Sequence, residues 1–121
     1  MQAQKNINTT VPPPAGGGGG GLIYNVTIKI TNAIHIDWLQ WLKEEHIPDV
    51  IRTGCFTHAV ILRLMEVDDS EGPTYAVQYF AESKGLYNNY IESHAPQMRQ
   101  KGFDKWGDKF IAFRSVMQVV N

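Results

Sequence analysis

Residues 44–54 read EEHIPDVIRTG, and residues 92–102, 48 positions further on, read ESHAPQMRQKG. At that constant offset Glu44 meets Glu92, His46 meets His94, Pro48 meets Pro96 and Gly54 meets Gly102. Just upstream, Leu39 and Leu42 meet Tyr87 and Tyr90. Each segment carries an apolar stripe at i, i+3, i+4 spacing: Trp38, Leu39, Trp41, Leu42, His46 and Val50 in the first, Tyr87, Tyr90, Ile91, His94 and Met98 in the second. That period predicts two amphipathic helices in two related halves of the chain. Each helix has a proline inside it. Proline lacks an N–H and crowds the preceding turn, so the first helix is expected to kink near Glu44–His46 or to restart at Pro48. Asn32 is the expected N-cap of the first helix, and Gly54 stands where a left-handed C-terminal residue is wanted. Ser83 is the expected cap of the second helix, which should end near Gly107.

Strand patterns flank both helices. From Leu22 to Ile30 the residues alternate, with Tyr24, Val26, Ile28 and Ile30 on one face and Asn25, Thr27 and Lys29 on the other. Phe56 to Val67 reads as a long apolar strand, Thr74 to Ala81 as a third strand rich in β-branched and aromatic residues, and Lys109 to Val120 as a fourth. The acidic run Glu66–Glu71 between the second and third strands predicts a solvated hairpin turn. The order is β-α-β-β-α-β. The expected fold class is therefore α+β: a ferredoxin-like βαββαβ sandwich, with a four-stranded antiparallel sheet and two helices on one face.

A sheet covered on one side needs apolar residues only at alternate positions. The second strand nevertheless has Val60, Leu62 and Leu64 on one face and Ala59, Ile61 and Met65 on the other. The fourth has Ile111, Phe113 and Met117 against Phe110, Ala112 and Val116. Two-sided burial calls for a second cover, and the simplest is a second copy packed through the open sheet face as a homodimer. Arg63 and Arg114 interrupt these strands and each needs an acceptor. The expected one is a carboxylate such as Glu66 or Asp104 across the dimer, and the alternative is a ligand anion.

Residues 1–21, ending in Pro12-Pro13-Pro14 and six glycines from Gly16 to Gly21, lack the apolar content to offset their ordering entropy and read as a disordered leader or linker. The domain is expected over residues 22–121. The glycine run follows no strand and precedes no Lys-Ser/Thr pair, so it is not a phosphate loop. With 11 basic and 12 acidic residues and no basic block, the chain lacks the footprint of a nucleic-acid binder. No apolar run reaches membrane-spanning length. The single cysteine, Cys55, rules out an intrachain disulfide and fits a cytoplasmic setting. As a nucleophile Cys55 is poorly placed, because a helix C-terminus raises a thiol's pKa. Glu44 and Glu92 lie two residues before their histidines and so point to nearly opposite helix faces, which disfavours a metal site. No cofactor is expected.

Two histidines on aromatic-rich stripes remain. The plain reading is that each stabilises its own proline kink in the core. The functional reading is a small-molecule pocket between helices and sheet, lined by Trp41, His46, Tyr75, Tyr79, Tyr90 and His94. His46 is then the candidate acid/base or hydrogen-bonding group, with His94 as the second candidate.

The stretches Trp38–Phe56 (WLQWLKEEHIPDVIRTGCF), Gly72–Ser83 (GPTYAVQYFAES) and Tyr90–Arg114 (YIESHAPQMRQKGFDKWGDKFIAFR) resemble the domain of unknown function 4286 family. The matching positions include Trp41, His46, Pro48, Tyr75, Tyr79, His94, Pro96, Arg99 and Trp106, and the resemblance assigns none of them a role. It implies a ferredoxin-like fold of the dimeric α/β-barrel type. That wider group includes cofactor-free monooxygenases, isomerases, haem-dependent enzymes and plain binders, so fold alone does not choose among them. Three readings follow: a small-molecule-binding dimer, a structural or self-association module without a ligand, or a cofactor-independent monooxygenase or isomerase.

Overall fold

The structure, a computed structural model, describes residues 21–121. The leader expected over residues 1–21 lies, but for Gly21, outside the described residues. Four strands, β1 (Leu22–Ile30), β2 (His58–Arg63), β3 (Thr74–Ala81) and β4 (Phe110–Gln118), form one antiparallel sheet in the order β2-β3-β1-β4. The helices are α1 (His35–Trp41), α2 (Ile47–Arg52), α3 (Lys84–Ser93) and α4 (Ala95–Trp106). The order of strands and crossovers is that of the ferredoxin-like α+β fold.

Register sets the two faces. Tyr24 pairs with Tyr79, Val26 with Val77 and Ile28 with Tyr75, so these alternate residues share the face beneath the helices. All six are buried there, together with Trp38, Leu42, Val50, Tyr90 and Met98 from the helices. Fully burying an aliphatic side chain such as Leu42 or Val50 contributes about 1.5–3 kcal/mol. The alternation written in β1 thus fixes which face the helices cover.

The two proline-bearing helices resolve the same problem differently. In the first, Leu42–His46 forms a π turn, with the Ile47 N–H donating to the Leu42 carbonyl five residues back, and α2 then starts with Pro48 in its first turn. In the second, the chain breaks at His94 (φ −125°, ψ −35°) and α4 restarts with Pro96 in its first turn. The glycines differ too. Gly54, at φ +79°, ends α2 in the left-handed region as expected, whereas Gly102 lies inside α4.

Other boundaries also shift. The second strand is shorter than the apolar run suggested. Phe56 turns into the core under the helices, stacking at 6.0 Å on Tyr24, and pairing stops after Leu64, whose N–H donates to the Thr74 carbonyl. Beyond it Glu66 adopts φ +59° and the chain turns away. Asn32 caps no helix; its amide donates to the Ser70 carbonyl at 3.0 Å and ties the short 3-10 turn Asn32–Ile34 to the β2–β3 loop. Ser83 caps α3 as expected, accepting from the Leu86 N–H at 3.2 Å.

Candidate functional site

The π turn decides where His46 points. In a regular α-helix, residues five apart differ by about 140° around the axis and cannot stack. A π turn bonds residues five apart and brings them into line. Trp41 and His46 are five apart, and their rings stack at 4.7 Å, 22° from parallel. The wide turn that accommodates Pro48 therefore aligns an indole and an imidazole on the helix face that meets the sheet.

That pair walls a cavity of about 60 Å³ between the helices and the sheet. Roughly 10–15 Å³ suffices for one water, so this space holds several waters or at most one small ring. The sheet supplies Tyr24, Val26, Val77, Tyr79 and Arg114 to its walls, and α4 supplies Met98, Arg99, Gly102 and Trp106. Gly102 sits 3.8 Å from the Trp41 ring, measured from where its Cβ would be, so any larger residue there reaches toward the cavity. Trp106 meets Trp41 edge to face at 5.9 Å, and its buried indole N–H has no hydrogen-bond partner. Among the described residues that is the one buried side-chain polar atom left unpaired.

Burial dominates the electrostatics. It pushes the His46 pKa down to about 4; Asp49 opposes that shift, while Lys101 and Arg114 add to it. His46 is thus neutral at pH 7. Burial also raises the Tyr79 and Tyr90 hydroxyls well above the ordinary phenol range, so both remain protonated donors. The positive charge of the site resides on Arg99 and Arg114.

Of the six residues expected to line a pocket, Trp41, His46, Tyr79 and Tyr90 meet at this cavity, and Tyr75 and His94 do not. Tyr75 is on the correct sheet face but further along it, where its hydroxyl and the His35 Nε2 lie 2.7 Å apart under Trp38. His94 sits at the helix break and stacks on Tyr90 at 6.2 Å. Arg63 does not wait for a second subunit's Glu66 or Asp104: it binds Asp69 of its own chain at 3.1 Å and lies over the Tyr75 ring. Arg114 has no such partner. Its parity with Phe110 and Ala112 puts it on the helix side of β4, and that signal was available in the sequence. Tyr24 carried the same kind of signal, its parity with Val26 and Ile28 on β1, whereas Arg99 and Trp106 had no comparable signal as site residues. Among the described residues no group of three or more His, Cys, Asp or Glu side chains gathers as a metal set.

Fold and cavity together define a small ferredoxin-like α+β protein with a pocket between helices and sheet. The chain belongs to the family of the domain of unknown function DUF4286, whose model matches residues 21–120. No curated protein matches it. Solved structures share the fold at low identity. A dimeric ferredoxin-like protein from an uncultured marine organism superposes with a TM-score of 0.61 at 11% identity, covering 84% of this chain and 96% of its own. A putative antibiotic biosynthesis monooxygenase from Bacillus cereus gives 0.58 at 16%, covering 84% and 94%. SnoaB, a cofactor-independent oxygenase from Streptomyces nogalater, gives 0.58 at 7%, covering 83% and 94%.

Proposed function

We propose that this protein binds a small organic molecule in the helix–sheet cavity and works as a homodimer. The observation that carries the first part is the cavity itself. Its walls are aromatic, its few polar groups converge, and one of them, the Trp106 N–H, is buried without a partner. Ligand sites have this make-up, and a core with no ligand would be expected to close over the unpaired donor. The experiment is a thermal-shift screen of one-ring organic compounds against the native chain and Gly102→Met, which pushes a side chain into the cavity. A ligand at ten times its Kd stabilises the native chain by about 1.4 kcal/mol. That shift should vanish in Gly102→Met, and equal shifts in both proteins would sink the cavity reading.

The dimer rests on the opposite sheet face. Val60 and Leu62 on β2 and Ile111, Phe113 and Met117 on β4 stand exposed there, Phe113 at 67%. Between them lies a polar centre: Asn25 donates to Thr27 and Ser115 and accepts from Gln78. A face with apolar flanks and a satisfied polar middle suits a second copy related by a twofold axis. Such pairing leaves the cavity, on the other face of the sheet, free for ligand. Phe113→Asp should weaken self-association at least tenfold in analytical ultracentrifugation while the monomer stays folded. An unchanged sedimentation profile would count against this face. Cys55 is free and buried, which suits a reducing compartment such as the cytoplasm. Among the described residues no helix is long and apolar enough to cross a membrane.

A further inference from the structure

Fifteen of the seventeen residues lining the cavity are buried or half-buried, and the two exposed ones are Arg99 and Arg114. They therefore stand at its open side. The chain has four arginines. Arg52 pairs with Asp49 and Arg63 with Asp69, both within the chain. Among the described residues no carboxylate lies within ion-pair distance of Arg99 or Arg114, and no Asp or Glu lines the cavity. Arg99 spends one N–H on the Tyr24 hydroxyl at 3.4 Å and keeps the rest of its fork. His46 contributes no charge, being neutral at pH 7.

Two unpaired guanidinium groups at the entrance of an aromatic chamber describe a ligand with two ends. Its outer end is anionic and its inner end is a flat ring. No lining residue stands at a free helix N-terminus, since the Leu42 N–H that opens the π turn is bonded within α1, so the backbone-amide cradle that phosphate sites use is missing here. A planar carboxylate matches guanidinium forks without such help. The volume of about 60 Å³ leaves room for no more than one ring. Resting on the small-molecule reading above, we infer that the ligand is a one-ring aromatic carboxylic acid, its carboxylate held by Arg99 and Arg114 and its ring inserted between Trp41, Tyr79 and Tyr90, within reach of the Trp106 N–H.

The test is a titration of the full-length, ¹⁵N-labelled protein with benzoate, benzamide and phenyl phosphate, followed by NMR on the Trp41 and Trp106 indole N–H signals. Benzoate should bind at least tenfold more tightly than benzamide, which has the same shape without the charge. Arg99→Gln and Arg114→Gln should each weaken benzoate about tenfold and leave benzamide within twofold. Equal affinity for benzoate and benzamide overturns the anion inference and leaves the small-molecule reading standing. Tighter binding of phenyl phosphate overturns the choice of carboxylate. If neither benzoate nor benzamide moves either indole signal at millimolar concentration, the inference and the small-molecule reading fall together.

Discussion

Gly72→Ala is expected to remove about 4 kcal/mol or more of stability, a loss seen only where a substitution breaks a specific feature of the fold. Gly72 has φ +152°, a region that side chains rarely enter, and an alanine Cβ would lie 1.6 Å from the Ile30 carbonyl oxygen. That oxygen belongs to backbone at the end of β1, so it cannot swing away as a side-chain tip would. The neighbouring hydrogen bonds, Ile30 N–H to the Pro73 carbonyl at 3.1 Å and Asn32 N–H to the Glu71 carbonyl at 3.0 Å, hold the loop against β1 and would have to yield. For a domain of about a hundred residues such a loss lowers Tm by roughly 15–30 °C. Gly54→Ala is the control. Gly54 also has a positive φ, +79°, but a Cβ there meets nothing within 4 Å. It should cost only about 1–2 kcal/mol, the conformational penalty alone. Thermal unfolding of the two variants separates clash from conformation, and similar losses would show that Gly72 does not depend on close approach.

The close approach at Gly72 also illustrates what sequence patterns carry. Period-two alternation marks β1 over Leu22–Ile30, and the β-branched and aromatic content of Thr74–Ala81 marks β3, both to the residue. The continuous apolar run from Phe56 to Val67 overran β2, His58–Arg63, because such a run does not reveal where Phe56 dives under the helices or where Glu66 turns left-handed. Helical stripes brought Trp41, His46 and Tyr90 to one place, since all face the sheet. Periodicity gives a face but not a position along it, which is why Tyr75 and His94 share the right surroundings and miss the cavity. Arg99 and Trp106 were illegible as site residues for a different reason. They lie on α4, whose sequence APQMRQKGFDKW is largely polar, and only the three-dimensional packing brings Arg99 to the same opening as Arg114 on β4. The repeated Glu-x-His-x-Pro element announced two breaks. The element alone did not say which break would become a π turn and which a clean interruption.

Acidification from pH 7 to pH 4 should cost the native protein about 3 kcal/mol more than it costs His46→Phe, which keeps an aromatic ring beside Trp41 and removes the titration. The sign follows from the direction of the shift. His46 has its pKa lowered from 6.5 to about 4 in the folded state, chiefly by burial. Below pH 6.5 the unfolded chain takes up a proton that the folded chain refuses, so stability is full above 6.5 and is lost as pH falls toward 4. Asp49 opposes the depression, while Lys101 and Arg114 deepen it. Asp49 is itself engaged by Arg52 and, at 3.6 Å, by Lys101, which limits what it offers the imidazole. Urea unfolding of both proteins across this pH range gives the difference directly. Curves that run parallel would mean that His46 is solvated and that the π turn does not bury it. The consequence for chemistry is specific. A histidine with a pKa near 4 is neutral at pH 7 and far from the value that suits proton transfer there. If the cavity takes the anionic ligand proposed above, His46 is better fitted to orient it by a neutral hydrogen bond than to act as an acid, and the attraction of the anion falls to Arg99 and Arg114.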